Sequence, residues 1–228
     1  MDQSIFALQL IGLALATILN LTLGLFVFFR NPKDLIYKIF LALAVSLAIW
    51  CASIFFDLYF YNIPDLLNFF DRLPFISGLL IALFFYLFAF LYPYKSSSIF
   101  KSAILIYSGV ILVFTYIIFS SLFFIENTQN FNLPLRAPNP ATYIIYSVVL
   151  VTPFILGLWQ LYRKMRDGDG VYRQGFPFFI SIVAIVIALS FFFNLFLAGV
   201  NNNSFISVGP ISSLLFIYAI MRMIISKE

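Results

Sequence analysis

Asp57, Arg72 and Asn194 are the polar side chains of this 228-residue chain whose types and places suit recognition chemistry. Asp57 follows the second of several long apolar runs, Arg72 precedes the third, and Asn194 lies in the outer half of the sixth. All three therefore fall at similar depth on one side. A carboxylate beside a guanidinium at a half-dry rim orients a polar group through charge-assisted hydrogen bonds, while aromatic walls take up an apolar body. The expectation is a ligand site entered from that side, between the second, third and sixth runs. The competing reading makes Asp57 and Arg72 solvated loop charges.

Other chemistry finds no support. The chain has no histidine, which removes the commonest metal ligand and the usual proton switch. Nucleophile–histidine constellations are excluded with it. Cys51 is the one cysteine, stands in the middle of the second run and behaves as a small apolar residue. Asp167-Gly168-Asp169-Gly170 begins like a calcium loop, but Val171 and Phe178 stand where further oxygen ligands belong. Gly168, Gly170 and Gly175 have neither the spacing nor the Lys-Ser/Thr pair of a phosphate loop, so the segment reads as a flexible basic turn. No carboxylate pair lies near the middle of a run. The polar groups within the runs are mild: Asn20, Ser46, Ser53, Ser77, Thr115, Thr152, Ser181, Ser190 and Asn194. Each is expected to bond the preceding turn or a neighbouring helix, for about 0.5–2 kcal/mol. A proton-driven pump or voltage sensor is not expected, nor is a metal, a cofactor or catalysis.

The elements that position these residues follow from composition. The chain is 63% hydrophobic and 10% charged, with mean hydropathy +1.05, more apolar surface than a soluble domain of this length can hide. Seven stretches are long enough to cross a bilayer, about 5–29, 36–56, 73–93, 102–125, 142–162, 176–199 and 205–225. Runs of this length without period-2 alternation mean helices, so the expected fold is an all-α bundle of seven transmembrane helices forming one domain over 1–228. Eleven of the thirteen Lys and Arg residues fall in alternate connections and at the C-terminus, leaving Arg72 and Arg136 on the other side. The positive-inside rule then predicts the N-terminus outside and the C-terminus cytoplasmic. The first run has no basic residue before it, unlike a secretory signal. The segment from Asp57 to Arg72 carries Leu66, Leu67, Phe69 and Phe70 and is expected in the interface. Gly12, Ala16, Asn20 and Gly24 form an i, i+4 row suited to close helix packing, as do Ala44, Ala48 and Ala52. Pro153 should kink the fifth span.

Seven spans invite comparison with receptors and opsins, but the residues disagree. Asn139-Pro140-Ala141-Thr142-Tyr143 and Asp71-Arg72-Leu73 stand at the wrong ends of the wrong spans, and the last span holds no lysine for a retinal Schiff base. A different pattern runs along the chain. Arg30-Asn31-Pro32 follows the first span and Ala48-Ile49-Trp50 lies in the second. Arg72-Leu73-Pro74-Phe75 through Tyr92-Pro93 frames the third, and Arg173-Gln174 precedes the sixth, which carries Asn194-Leu195. Gly209-Pro210 opens the seventh, and Tyr218-Ala219-Ile220 with Arg222 closes it. In order and placement this resembles the N-terminal seven-helix membrane region of bacterial histidine kinases, over essentially the whole chain. The resemblance implies a sensor in the bacterial cytoplasmic (inner) membrane whose last helix leads to a cytoplasmic output. Arg173, Gly209, Pro210, Tyr218 and Arg222 are then the output or interface candidates. The implied partners are membrane lipid, a cytoplasmic signalling partner or kinase and a homo-oligomeric assembly, with nucleic acid not expected and the ligand unknown. After Arg222 come six residues, with no phosphoacceptor histidine and no ATP-binding domain, so the chain reads as a stand-alone sensor or as the membrane part of a longer protein. Without the resemblance, Tyr218 and Arg222 read as a membrane-anchoring helix end, with Tyr in the aromatic belt and Arg reaching phosphates. A small-molecule or lipid transporter, or a non-catalytic scaffold of a membrane complex, stands as the alternative function.

Overall fold

A computed structural model describes residues 3–60, 63–92, 100–120, 122–125, 137–167, 176–196 and 206–225. Its helices, in order, are α1 (Gln3–Arg30), α2 (Leu35–Tyr59), the short α3 (Pro64–Phe70), α4 (Leu73–Leu91), α5 (Phe100–Phe119), α6 (Pro140–Asp167), α7 (Phe176–Phe191) and α8 (Val208–Ile225). A π-helical turn, Phe192–Phe196, extends α7. Two-residue strands, β1 (Phe124–Ile125) and β2 (Ala137–Pro138), pair antiparallel between α5 and α6. Among the described residues six helices are long and apolar enough to cross a membrane, and α5 adds a shorter apolar stretch, Leu105–Phe119. α3 has seven residues, and at ~1.5 Å per residue it is far too short to span. The chain is thus an all-α, multi-pass membrane bundle.

Local chemistry starts these helices. The Asp34 carboxylate accepts from the Ile36 N–H at 2.9 Å and caps α2. Asn139 does the same for α6, its Oδ1 accepting from the Ala141 N–H at 3.1 Å. Pro64, Pro74, Pro140, Pro177 and Pro210 all stand in first turns, where the missing N–H has no intrahelical partner to lose.

Packing orders the bundle as a ring. α1 lies against α2 and α8, α2 against α4, α4 against α6, α6 against α7, and α7 against α8, with α5 outside on α4. The small residues of α1 face inward. A methyl placed on Gly24 would meet the Ala44 Cβ at 2.5 Å, and one on Gly12 would meet Ile211 at 2.7 Å, so the row seats α1 on both α2 and α8. Ala16 is fully buried, and Asn20, also fully buried, donates to Ser213 Oγ at 2.9 Å across to α8. α4 packs against α2, α5 and α6. Its Phe85, between Phe154 and Phe216, holds the centre of the core.

Pro153 sits in the middle of α6, which keeps its helical assignment from Pro140 to Asp167. A proline has no N–H for the carbonyl four residues before it, here Val149. Tyr107 of α5 supplies the donor instead, its hydroxyl reaching Val149 O at 3.1 Å. In lipid such a carbonyl must be satisfied by a neighbouring helix, and this one is.

Candidate ligand-binding cavity

Five helices, α2, α4, α6, α7 and α8, enclose a cavity of about 180 Å³. It runs from the middle of the bundle to the end where α2 and α7 finish and α4, α6 and α8 begin. Leu47, Ile81, Leu150, Val186, Ser213 and Phe216 form the deeper wall. Aromatic side chains from several elements line the rest, among them Trp50, Phe75, Tyr143, Tyr146 and Phe191. The aromatic wall is held by its own contacts. Tyr146 donates to the Phe75 carbonyl at 2.9 Å, and their rings meet edge to face at 5.4 Å. Gly78 leaves room for this arrangement, since a methyl there would meet the Tyr146 hydroxyl at 2.9 Å.

The structure brings two of the three expected site residues to this cavity. Asp57, one turn from the end of α2, and Asn194, in the π-turn after α7, both line it. Arg72 is not among the described lining residues, and the carboxylate of Asp71 stands in its place. The physical reason is helical geometry: adjacent residues entering a helix point about 100° apart, so one of the pair faces inward and the other away. Arg72 turns toward α5. Its Nη1 donates to the Phe119 carbonyl, the last of that helix, and its guanidinium lies 5.6 and 5.8 Å from the ring centroids of Phe119 and Phe124. A cation at a helix C-terminus satisfies carbonyls that have no intrahelical donor.

Asp57 and Asp71 both line the cavity and stand near enough for their carboxyl groups to interact. Asp57 Oδ1 is buried without a hydrogen-bond partner. Asn194 donates through Nδ2 to the Ile206 carbonyl at 2.7 Å, which leaves its Oδ1 likewise buried and unpartnered. Gly209 makes that pose available. A methyl at Gly209 would lie 1.9 Å from Asn194 Oδ1, so the start of α8 has to lack a side chain where the π-turn packs on it. Deeper in, Cys51, Asn20 and Ser213 form a small polar knot beside the cavity, with Cys51 Sγ 3.6 Å from the Pro210 carbonyl and 3.8 Å from Ser213 Oγ.

The opposite end of the bundle is tied shut. Lys164 of α6 is 5% exposed, and its ammonium donates to the carbonyls of Ala89, Phe90 and Tyr92 at 3.0, 2.5 and 2.9 Å. Tyr92 in turn donates its hydroxyl to the Met223 carbonyl at 2.7 Å. The ends of α4, α6 and α8 are thereby joined.

Of the output candidates, Gly209 and Pro210 are buried at the cavity end, whereas Tyr218 and Arg222 are exposed together on one face of α8. Arg173 lies outside the described residues, as do the glycine-rich turn at 168–175 and Arg136. Sequence reasoning passed over Asp71 and Lys164. The first counted only as part of the discarded Asp71-Arg72-Leu73 motif and the second as one more basic residue of a turn. For Lys164 a signal existed: a helix ending at Leu91 leaves its last carbonyls in need of donors.

Comparison with known proteins fits this architecture. No curated protein matches the chain. The family described as the N-terminal 7TM region of histidine kinase matches residues 12–225, from within α1 to the end of α8. With six long apolar helices and one shorter among the described residues and a match over nearly its whole length, the chain belongs to the family of N-terminal seven-transmembrane regions of histidine kinases.

Proposed function

We propose that the chain detects a small ligand in the cavity from the outer side of the bacterial cytoplasmic membrane and relays its occupancy through α8 to a cytoplasmic signalling partner. The observation that carries this reading is the position of α8. Its first half, through Ser213 and Phe216, forms cavity wall, and its last turn is bonded to the end of α4 through Tyr92 and Met223. A helix that touches the ligand space at one end and is held by a few polar contacts at the other is suited to carry a small displacement along its axis. The basic residues Arg30, Lys33, Lys38, Arg163, Lys164, Arg166 and Arg222 gather at the tied end, which supports a cytoplasmic placement for it.

The transporter alternative fits less well. Transport folds use helices unwound at the midplane. Among the described residues, the one non-α segment within a spanning helix is the π-turn at Phe192–Phe196, at the end of α7 rather than its middle.

The relay can be tested without knowing the ligand. Val186→Phe, on the cavity face of α7, adds bulk to the cavity. Hydrogen exchange of the α8 amides from Arg222 to Ile225 is then compared with the parent chain in lipid nanodiscs. Altered protection at that distant turn is expected. Unchanged protection, with the cavity filled and the fold intact, removes α8 as the relay.

A further inference from the structure

The polar atoms of the cavity point to the chemistry of its occupant, an inference that rests on the sensor reading above. Asp57 and Asp71 stand near one another at its rim, and Asn194 stands beside them on the cavity wall. Asp57 Oδ1 and Asn194 Oδ1 are buried acceptors with no donor among the described residues. Buried acceptors without donors are uncommon in native structures and mark places where another molecule supplies the hydrogen. No lysine or arginine is among the described residues that line the cavity. Arg72, the basic residue next in sequence, is engaged by the Phe119 carbonyl and two phenyl rings.

Three kinds of occupant can be compared on these facts. An anion meets two carboxyl groups and no cation. A neutral hydrocarbon fits the aromatic wall but leaves both acceptors unsatisfied. A protonated amine meets every condition. Its N–H groups are donors for Asp57 Oδ1 and Asn194 Oδ1, its charge is opposite to the one negative charge that a close, buried carboxyl pair keeps, and the faces of Trp50, Tyr143 and Phe191 attract cations. Size narrows the body. At about 180 Å³ the cavity is close to the ~150 Å³ of an engineered apolar cavity that accepts one benzene ring. We propose that this cavity binds a small primary amine with a single-ring or short alkyl body, its ammonium group held among Asp57, Asp71 and Asn194.

The experiment uses the full chain in lipid nanodiscs with Trp159→Phe, so that Trp50 on the cavity wall is the remaining indole. Three probes of matched shape are titrated: 2-phenylethylamine, 2-phenylethanol and 3-phenylpropionate. The amine is expected to give a saturable change in Trp50 fluorescence with a Kd at least tenfold below that of the alcohol, and the acid none. Asp57→Asn and Asp71→Asn should each raise the Kd of the amine at least tenfold while changing that of the alcohol less than twofold. If the alcohol or the acid binds as tightly as the amine, or if neither substitution affects the amine, the amine assignment is overturned while the cavity remains a ligand site. If no probe saturates, the ligand-cavity reading falls as well. Should the Asn variants fail to fold, the order of the three probes on the parent chain decides alone.

Discussion

At the tied end of the bundle, one ammonium, that of Lys164, serves three carbonyls at once, and Tyr92 carries the connection on to Met223. At the cavity end, Asp57 Oδ1 and Asn194 Oδ1 are buried with no donor among the described residues. Both ends face the same problem of polar groups in an apolar surround. At one end the fold solves it internally, with a side chain whose three donors meet three carbonyls. At the other end the fold leaves acceptors open beside a cavity. The contrast teaches where the fold closes its hydrogen bonds from within and where it leaves acceptors open beside a cavity.

The sharpest way to break the comparison is at Lys164. Lys164→Met keeps the length and apolar stem but leaves the α4 carbonyls unserved. With an unsatisfied buried group costing about 1–3 kcal/mol, the loss should be on the order of 3 kcal/mol, checked by denaturant titration in detergent. A loss below about 1 kcal/mol would mean water reaches those carbonyls and the end is not sealed.

Gly209→Ala tests the cavity end. The new methyl cannot coexist with Asn194 Oδ1 at 1.9 Å, so the amide must swing away and its bond to Ile206 must break. Overpacking of this kind costs about 1–3 kcal/mol. The same unfolding titration gives the cost, and Trp50 fluorescence, 3.3 Å from the added methyl, should shift with it.

Midway between the two ends lies the Tyr107–Val149 bond. Tyr107→Phe should cost about 1 kcal/mol. In a Pro153→Ala background the restored N–H can serve Val149, so the same substitution should cost a few tenths or less. The double-mutant cycle measures this difference, and an equal cost in both backgrounds would show that the tyrosine does not replace the missing helical donor.

The smallest effect is expected at Gly109 of α5, where an added methyl meets no atom within 4 Å. Gly109→Ala should be neutral or stabilise by up to ~1 kcal/mol through helix propensity alone. A clear destabilisation there would reveal a partner packed on the outer face of α5.

Hydropathy and charge, both local, made most of the fold legible. Apolar runs of bilayer length located the spans, because a bilayer reads each helix separately. Pro210 marked the start of the last helix, and the glycine and alanine rows marked close-packing faces, because both act through backbone geometry near the residue itself. Legibility stopped at the direction of side chains. Asp71 and Arg72 are neighbours in sequence, yet one lines the cavity and the other caps α5. Lys164 looked like its basic neighbours Arg163 and Arg166, which stay exposed while it is buried.

The sequence by itself determined the solvent, the apolar runs long enough to cross a bilayer and the distribution of charge, since each is a sum over residues close in the chain. The tertiary structure alone decided that Asp57, Asp71 and Asn194 share one cavity and that Gly209 is open for the Asn194 amide. It also decided that a tyrosine 46 residues before Pro153 repairs that proline's missing bond. These depend on the rotation of each helix about its axis, and that rotation is set by how all the neighbouring helices pack at once.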